Sequence, residues 1–131
     1  MESRISENGL TFTYLDDKLH SFNDLPAISS IDGAQYWYKN DKRHRDNDMP
    51  ATICANGNMW WYRNDEIHRD NDRPAIIHMN GDQFWYENNI RHRDNDMPAI
   101  IQTNGRAEWW IDGKFIKKCN NYFIKVKRAN H

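Results

Sequence analysis

Short aromatic and β-branched runs alternate along this chain with clusters of Asn, Asp, Gly and Pro, and the alternation keeps a fixed beat of 24 residues. The aromatic runs are Tyr36-Trp37-Tyr38, Trp60-Trp61-Tyr62 and Phe84-Trp85-Tyr86. The β-branched runs, Thr52-Ile53-Cys54, Ile76-Ile77-His78 and Ile100-Ile101-Gln102, each follow a Pro-Ala step. Both compositions favour strand over helix. Polar pairs punctuate the repeats too closely for a helix to persist, so the pattern predicts paired short strands and almost no helix.

The repeat is explicit in the columns. His44-Arg45-Asp46-Asn47-Asp48-Met49-Pro50-Ala51 returns at His68–Ala75 and again at His92–Ala99, and a weaker copy keeps His20, Asn23, Asp24, Pro26 and Ala27. Gly9, Gly33, Gly57, Gly81 and Gly105 hold the same step, as do Trp37, Trp61, Trp85 and Trp109. A repeat of this period marks an array in which each unit packs mainly on its neighbours.

Two reversals per copy are legible. Asn56-Gly57, Asn80-Gly81 and Asn104-Gly105, with Asp32-Gly33 and Asn8-Gly9, are expected to form type I′ hairpin turns with positive φ at both central residues. A weaker turn is expected eight residues on, at Asp16-Asp17, Asn40-Asp41, Asn64-Asp65, Asn88-Asn89 and Asp112-Gly113. The architecture that follows is all-β: an antiparallel meander of about five 24-residue β-hairpin repeats, forming an elongated twisted sheet or solenoid-like array. Residues 1–131 form a single domain, with repeats over 8–116 and a basic capping strand or tail over 117–131. Tyr122-Phe123-Ile124-Lys125-Val126 reads as the closing strand.

Composition narrows the function. Of 131 residues 38% are hydrophobic and 28% charged, but six Trp, six Tyr and five Phe concentrate the capacity for burial and argue against disorder. No run approaches a membrane span, and the first residues lack the apolar segment of a secretory signal; a cytoplasmic address is expected. Cys54 and Cys119 are too few for a disulfide framework or a zinc site and read as reduced thiols. Residues 1–113 carry 12 basic and 19 acidic side chains, while Lys114, Lys117, Lys118, Lys125, Lys127 and Arg128 make the end basic. Lysines on an outer strand oppose edge-to-edge association. An acidic body disfavours nucleic acid; self-association through edge strands and contact of the tail with a membrane surface are the other partners such a charge split suggests.

The unit Trp-Tyr … His-Arg-Asp-Asn-Asp-x-Pro-Ala … Asn-Gly, seen at Trp61 to Gly81 and Trp85 to Gly105, resembles the MORN-type repeats (membrane occupation and recognition nexus). It is most similar to variant arrays found in phage and giant-virus proteins. Asp41, Asp65 and Asn89 stand where the family usually has glycine, and Asn-Asp stands where it usually has Asp-Gly before Pro. The resemblance implies a non-enzymatic repeat protein that acts as a protein-protein interaction module. A viral origin implies the alternative of an effector in the host cytoplasm that inhibits a defence enzyme or sequesters its signalling nucleotide.

The candidate chemistry sits in two sets of residues. Strand alternation puts Trp37, Trp61, Trp85 and Trp109 on one face and Tyr36/Tyr38, Trp60/Tyr62 and Phe84/Tyr86 on the other. The tryptophans are expected as an inner ladder and the tyrosines as a half-wet layer. Tyr38, Tyr62, Tyr86 and Trp60, with Arg45, Arg69 and Arg93, form the candidate binding surface for a protein or a small nucleotide. The arginines can also pair with Asp of the same or an adjoining copy.

The Asp-Asn-Asp segments lack the glycine and closing glutamate of a calcium loop and read as Asx turns. His44, His68 and His92 recur at about 9 to 10 Å, two strand spacings apart, too far to share one zinc ion, and are expected to bond neighbouring backbone. Cys54 and His78 are separated by the same step, beyond reach for a nucleophile and its base. No catalytic constellation, metal site or cofactor is expected.

Overall fold

The structure, a computed structural model, describes residues 1–123. No helix interrupts residues 1–121. The strands form one large open antiparallel sheet of twelve strands, to which each copy adds two, with three small two-stranded hairpins beside it. The all-β hairpin meander expected from the sequence is the fold. In the third copy, for example, Met59–Trp60 and Ile76–Ile77 lie in the large sheet, and Tyr62–Arg63 pairs with Glu66–Ile67 in a side hairpin. Strand pairing runs from Glu2–Glu7, which pairs with Leu10–Leu15, to Lys114–Cys119, which pairs with Ala107–Ile111.

The turns differ from expectation in a way that polar side chains explain. Only Asn8-Gly9 among the Asx-Gly pairs of the first set has positive φ at both residues (52° and 78°). At 33, 57, 81 and 105 glycine alone is left-handed, with φ between 93° and 102°. These are three-residue loops: Gly57 N–H donates to the Cys54 carbonyl at 2.9 Å and Cys54 N–H to the Asn58 carbonyl at 2.8 Å, a type I turn followed by a glycine bulge. The Asn56, Asn80 and Asn104 side chains accept the N–H two residues on, at 3.0, 2.9 and 2.9 Å, which holds them right-handed.

The pairs expected to be weaker are the doubly left-handed ones: Asn64 (48°) and Asp65 (72°), with their equivalents in the other copies. A third reversal per copy was not foreseen as such, because Asn47-Asp48, Asn71-Asp72 and Asn95-Asp96 are also left-handed at both residues, where Asx turns were expected.

The core is a ladder of tryptophan against alanine. Ala27, Ala51, Ala75 and Ala99 are fully buried, and Trp37, Trp61 and Trp85 are nearly so. Each of these indoles is fixed by its N–H, which donates to the carbonyl of the second left-handed Asp 13 residues earlier: Trp37 to Asp24, Trp61 to Asp48 and Trp85 to Asp72, all at 3.0 Å. Trp109 repeats the bond to Asp96 but is only half-buried. The described array ends at Lys114–Cys119, whose lysines are exposed. Of the strand expected at 122–126, Tyr122 and Phe123 are helical rather than extended, and 124–126 lie outside the described residues.

Candidate functional site

Arg45, Arg69 and Arg93 turn inward. Each guanidinium lies over the tryptophan eight residues earlier, its central carbon 3.7, 3.9 and 3.9 Å from the ring centroid. Each also grips the Asp of the preceding copy through two nitrogens, as Arg93 does Asp72 at 2.8 and 3.2 Å, and donates to a proline carbonyl, Pro98 at 3.1 Å for Arg93. Of the two roles expected for these arginines, the ion pair to the adjoining copy is the one formed. A planar fork over a ring, bidentate to carboxylate, is a geometry only arginine provides. The guanidinium groups are thereby committed to joining copies rather than presented to a ligand.

The histidines do the same work at the next position. Backbone N–H groups of Asn40, Asn64, Asn88 and Asp112 donate to Nδ1 of His20, His44, His68 and His92 at 2.9 to 3.3 Å. Because Nδ1 must accept, Nε2 carries the proton, and it donates to Asp46, Asp70 and Asp94 at 2.7 to 2.8 Å. Glu87, His92 and Asp94 bring three potential ligand atoms within 4.8 Å of one another. Both ring nitrogens of His92 are already in use, so the cluster lacks the free imidazole lone pair a metal requires.

Successive His-Arg-Asp-Asn turns enclose three equivalent clefts. They have volumes of about 300, 390 and 240 Å³ and contain, in turn, Tyr38 with Arg45, Tyr62 with Arg45 and Arg69, and Tyr86 with Arg69 and Arg93. The candidate tyrosines and arginines are therefore brought together copy by copy, and Trp60 is not among them. The clefts lie near or below the lower end of the size usual for small-ligand sites.

Trp60 lies outside the clefts but beside the cleft-lining Tyr62, on a surface whose extent the sequence missed. Phe12, Tyr36, Trp60 and Phe84 share one column of the large sheet's face through their pairing with Ile28, Thr52 and Ile76. Tyr14, Tyr38, Tyr62, Tyr86 and Trp110 follow two residues later in each copy. All nine rings are half-buried. Trp60 and Tyr62 stack at 6.3 Å and 10°, and Phe12 and Tyr14 at 6.4 Å and 21°. A third column adds Arg43 and Arg91: Arg43 donates to the Tyr62 hydroxyl at 3.1 Å, and Arg91 to the Tyr86 hydroxyl at 2.7 Å while lying 4.7 Å from the Trp110 ring. Burial pushes the Tyr38 and Tyr62 phenols above their ordinary pKa, so both stay protonated. The 24-residue step from Arg43 through Ile67 to Arg91 was the signal that could have located this column.

Carboxylates that join copies, and Asp70 within its own copy, give the array a defined acid response. The Arg45 hydrogen bond holds Asp24 below the usual aspartate pKa; Arg69 does this for Asp48, Arg43 for Asp65 and His68 for Asp70. Groups with lowered folded-state pKa contribute stability that is fully present above the unfolded value, about 4, and is lost as pH falls through the folded values. The melting temperature is expected to be level with respect to these groups from neutral pH to about 5 and to fall below about 4. Asp48→Asn should flatten that fall in a pH series of thermal melts, and an unchanged profile would remove Asp48 from the account.

Comparison with protein-family models, with curated proteins and with solved structures found no match.

Proposed function

We propose that the chain is a non-enzymatic, MORN-like repeat array that acts as a protein-protein interaction module through its aromatic face. The observation that carries this reading is the recurrence of half-buried rings, two in each of four copies from Phe12 to Tyr86 and Trp110 in the fifth. Single exposed rings are ordinary, whereas a repeated set of partly exposed aromatics is the character of an interaction surface. The clefts beside these tyrosines support it by contrast, since their tryptophans and arginines are used up within the array. Tyr and Trp are also the side chains that carry most binding energy at protein interfaces.

The test is capture from a native lysate with wild-type protein and with a Trp60→Ala/Tyr62→Ala variant. A partner held by the wild type and lost from a variant that keeps its cooperative melt is expected. Retention by the variant, or loss on substituting Asp46 and Asp70 instead, would move the interface away from the rings and into the clefts.

A further inference from the structure

We infer that Asn8 is a site of spontaneous deamidation, the Asn-Gly pair that the array leaves unlocked, and that its conversion loosens the outermost strand. Asn-Gly pairs stand at 8, 56, 80 and 104. In the reaction the glycine backbone nitrogen attacks Cγ of the asparagine before it. A C–N bond forms, the Cγ–Nδ2 bond breaks, and ammonia leaves with the proton that the glycine nitrogen gives up. Water then opens the five-membered imide at either carbonyl, giving aspartate or, with one more atom in the main chain, isoaspartate. Glycine has no Cβ to hinder the attacking nitrogen, and asparagine is a thermolabile residue.

Exposure does not separate the four asparagines, since all are exposed. Hydrogen bonding does. In three of the pairs the attacking nitrogen, that of Gly57, Gly81 or Gly105, donates its hydrogen to the carbonyl three residues earlier at 2.9, 2.8 and 3.0 Å. The asparagine side chain is held at the same time by the N–H two residues on, at 3.0, 2.9 and 2.9 Å. Both reacting groups are pinned, so such a loop must open before it reacts. The product would fit: Asp32 occupies the same place in an earlier copy and accepts the Ala34 N–H at 3.1 Å. The protection is therefore kinetic.

Asn8-Gly9 lacks both restraints. Its two-residue turn joins Glu7 to Leu10, with both central residues left-handed. Among the described residues the Gly9 N–H has no backbone acceptor, and the side-chain bond beside the turn joins Ser6 and Thr11 at 3.3 Å rather than engaging Asn8. The Glu2–Glu7 strand is exposed throughout and, among the described residues, pairs only with Leu10–Leu15. This turn thus opens at less cost than a loop inside the sheet. Isoaspartate lengthens the main chain of a turn whose two residues set the strand register, so the Glu7–Leu10 pairing is lost. Copies further along keep their own neighbours.

The experiment incubates the full chain in mildly alkaline buffer, native and in denaturing urea, and follows aspartate plus isoaspartate at the four pairs by peptide mapping with mass spectrometry. In the native protein Asn8 is expected to convert at least about tenfold faster than Asn56, Asn80 or Asn104, a ratio that a difference of about 1.4 kcal/mol in opening supplies. In urea the four rates should converge to within about threefold, because no loop survives to lock them. Equal rates in the native protein, or the same preference for Asn8 in urea, would overturn the inference. Hydrogen exchange reads the consequence: the aged chain should lose protection over residues 2–15, where the first two strands pair. Asn8→Gln, whose longer side chain closes an imide far more slowly, should keep that protection through the same incubation. Loss of protection in the aged Asn8→Gln chain would overturn the link between Asn8 and the loosened strand.

Discussion

Trp61→Ala is expected to cost about 3 to 5 kcal/mol of stability, the range for emptying a buried aromatic site. Trp61 is 6% exposed. Its backbone bonds Ala75, its indole N–H bonds the Asp48 carbonyl, and Arg69 lies on its ring. Truncation therefore removes packing in its own copy and frees the Asp48 carbonyl of the preceding one. Because a repeat array is stabilised chiefly by contacts between neighbours, the loss should appear as a lower midpoint for the whole melt rather than as local fraying.

Two controls give the prediction its edge. Trp60, one residue away but on the half-buried face, should cost only about 1 to 2 kcal/mol on the same substitution, as a partly exposed ring loses less transfer energy. Trp109, also half-buried, should fall in that lower range. Urea titration of the three variants checks the order. Equal losses at Trp60 and Trp61 would mean that the inner ladder is not the core.

The contrast between adjacent tryptophans was legible in the sequence, because strand alternation alone separates Trp60 from Trp61. So were the repeat period and the expectation that histidine rings would bond backbone. What was not legible depended on competition between near-equal local choices. Asn-Gly suits a type I′ turn in isolation, but an Asn side chain that accepts the N–H two residues on favours the longer loop with its glycine bulge. Asn-Asp, a poorer left-handed pair by composition, is held in that state where its second side chain caps a neighbouring strand, as Asp65 does for the Arg43 N–H at 3.3 Å. Arg45, Arg69 and Arg93 had two credible destinations, outward to a ligand or across to an adjoining copy. The deciding partner lies 21 residues back, visible only once the copies are stacked.

Arg93→Ala is expected to cost about 3 kcal/mol, near the lower end for breaking a buried ion pair. Its side chain is 9% exposed, yet Asp72 keeps about half of its surface in water and so can be resolvated when the arginine goes. Loss of the contact with the Trp85 face adds to the penalty, and a double-mutant cycle with Trp85→Phe would isolate that part.

Lysine should not rescue the site, because an ammonium cannot span both Asp72 oxygens, lie over the ring and reach the Pro98 carbonyl together. The chain already contains that substitution. Lys117 continues the arginine column into the last copy, where its ammonium sits 4.8 Å from the Trp109 ring centroid and 3.9 Å from Asp96. Both distances are longer than those the arginines achieve, and Trp109 is correspondingly more exposed. Lys117→Arg should therefore close the fork over Trp109 and raise stability by about 0.5 to 1 kcal/mol, the scale of a partly exposed cation–π contact. Arg93→Lys should lose most of what Arg93→Ala loses. If thermal melts show Lys117→Arg to be neutral and Arg93→Lys to be tolerated, the arginines act as simple point charges, and the cohesion of the array must come from the tryptophan ladder alone.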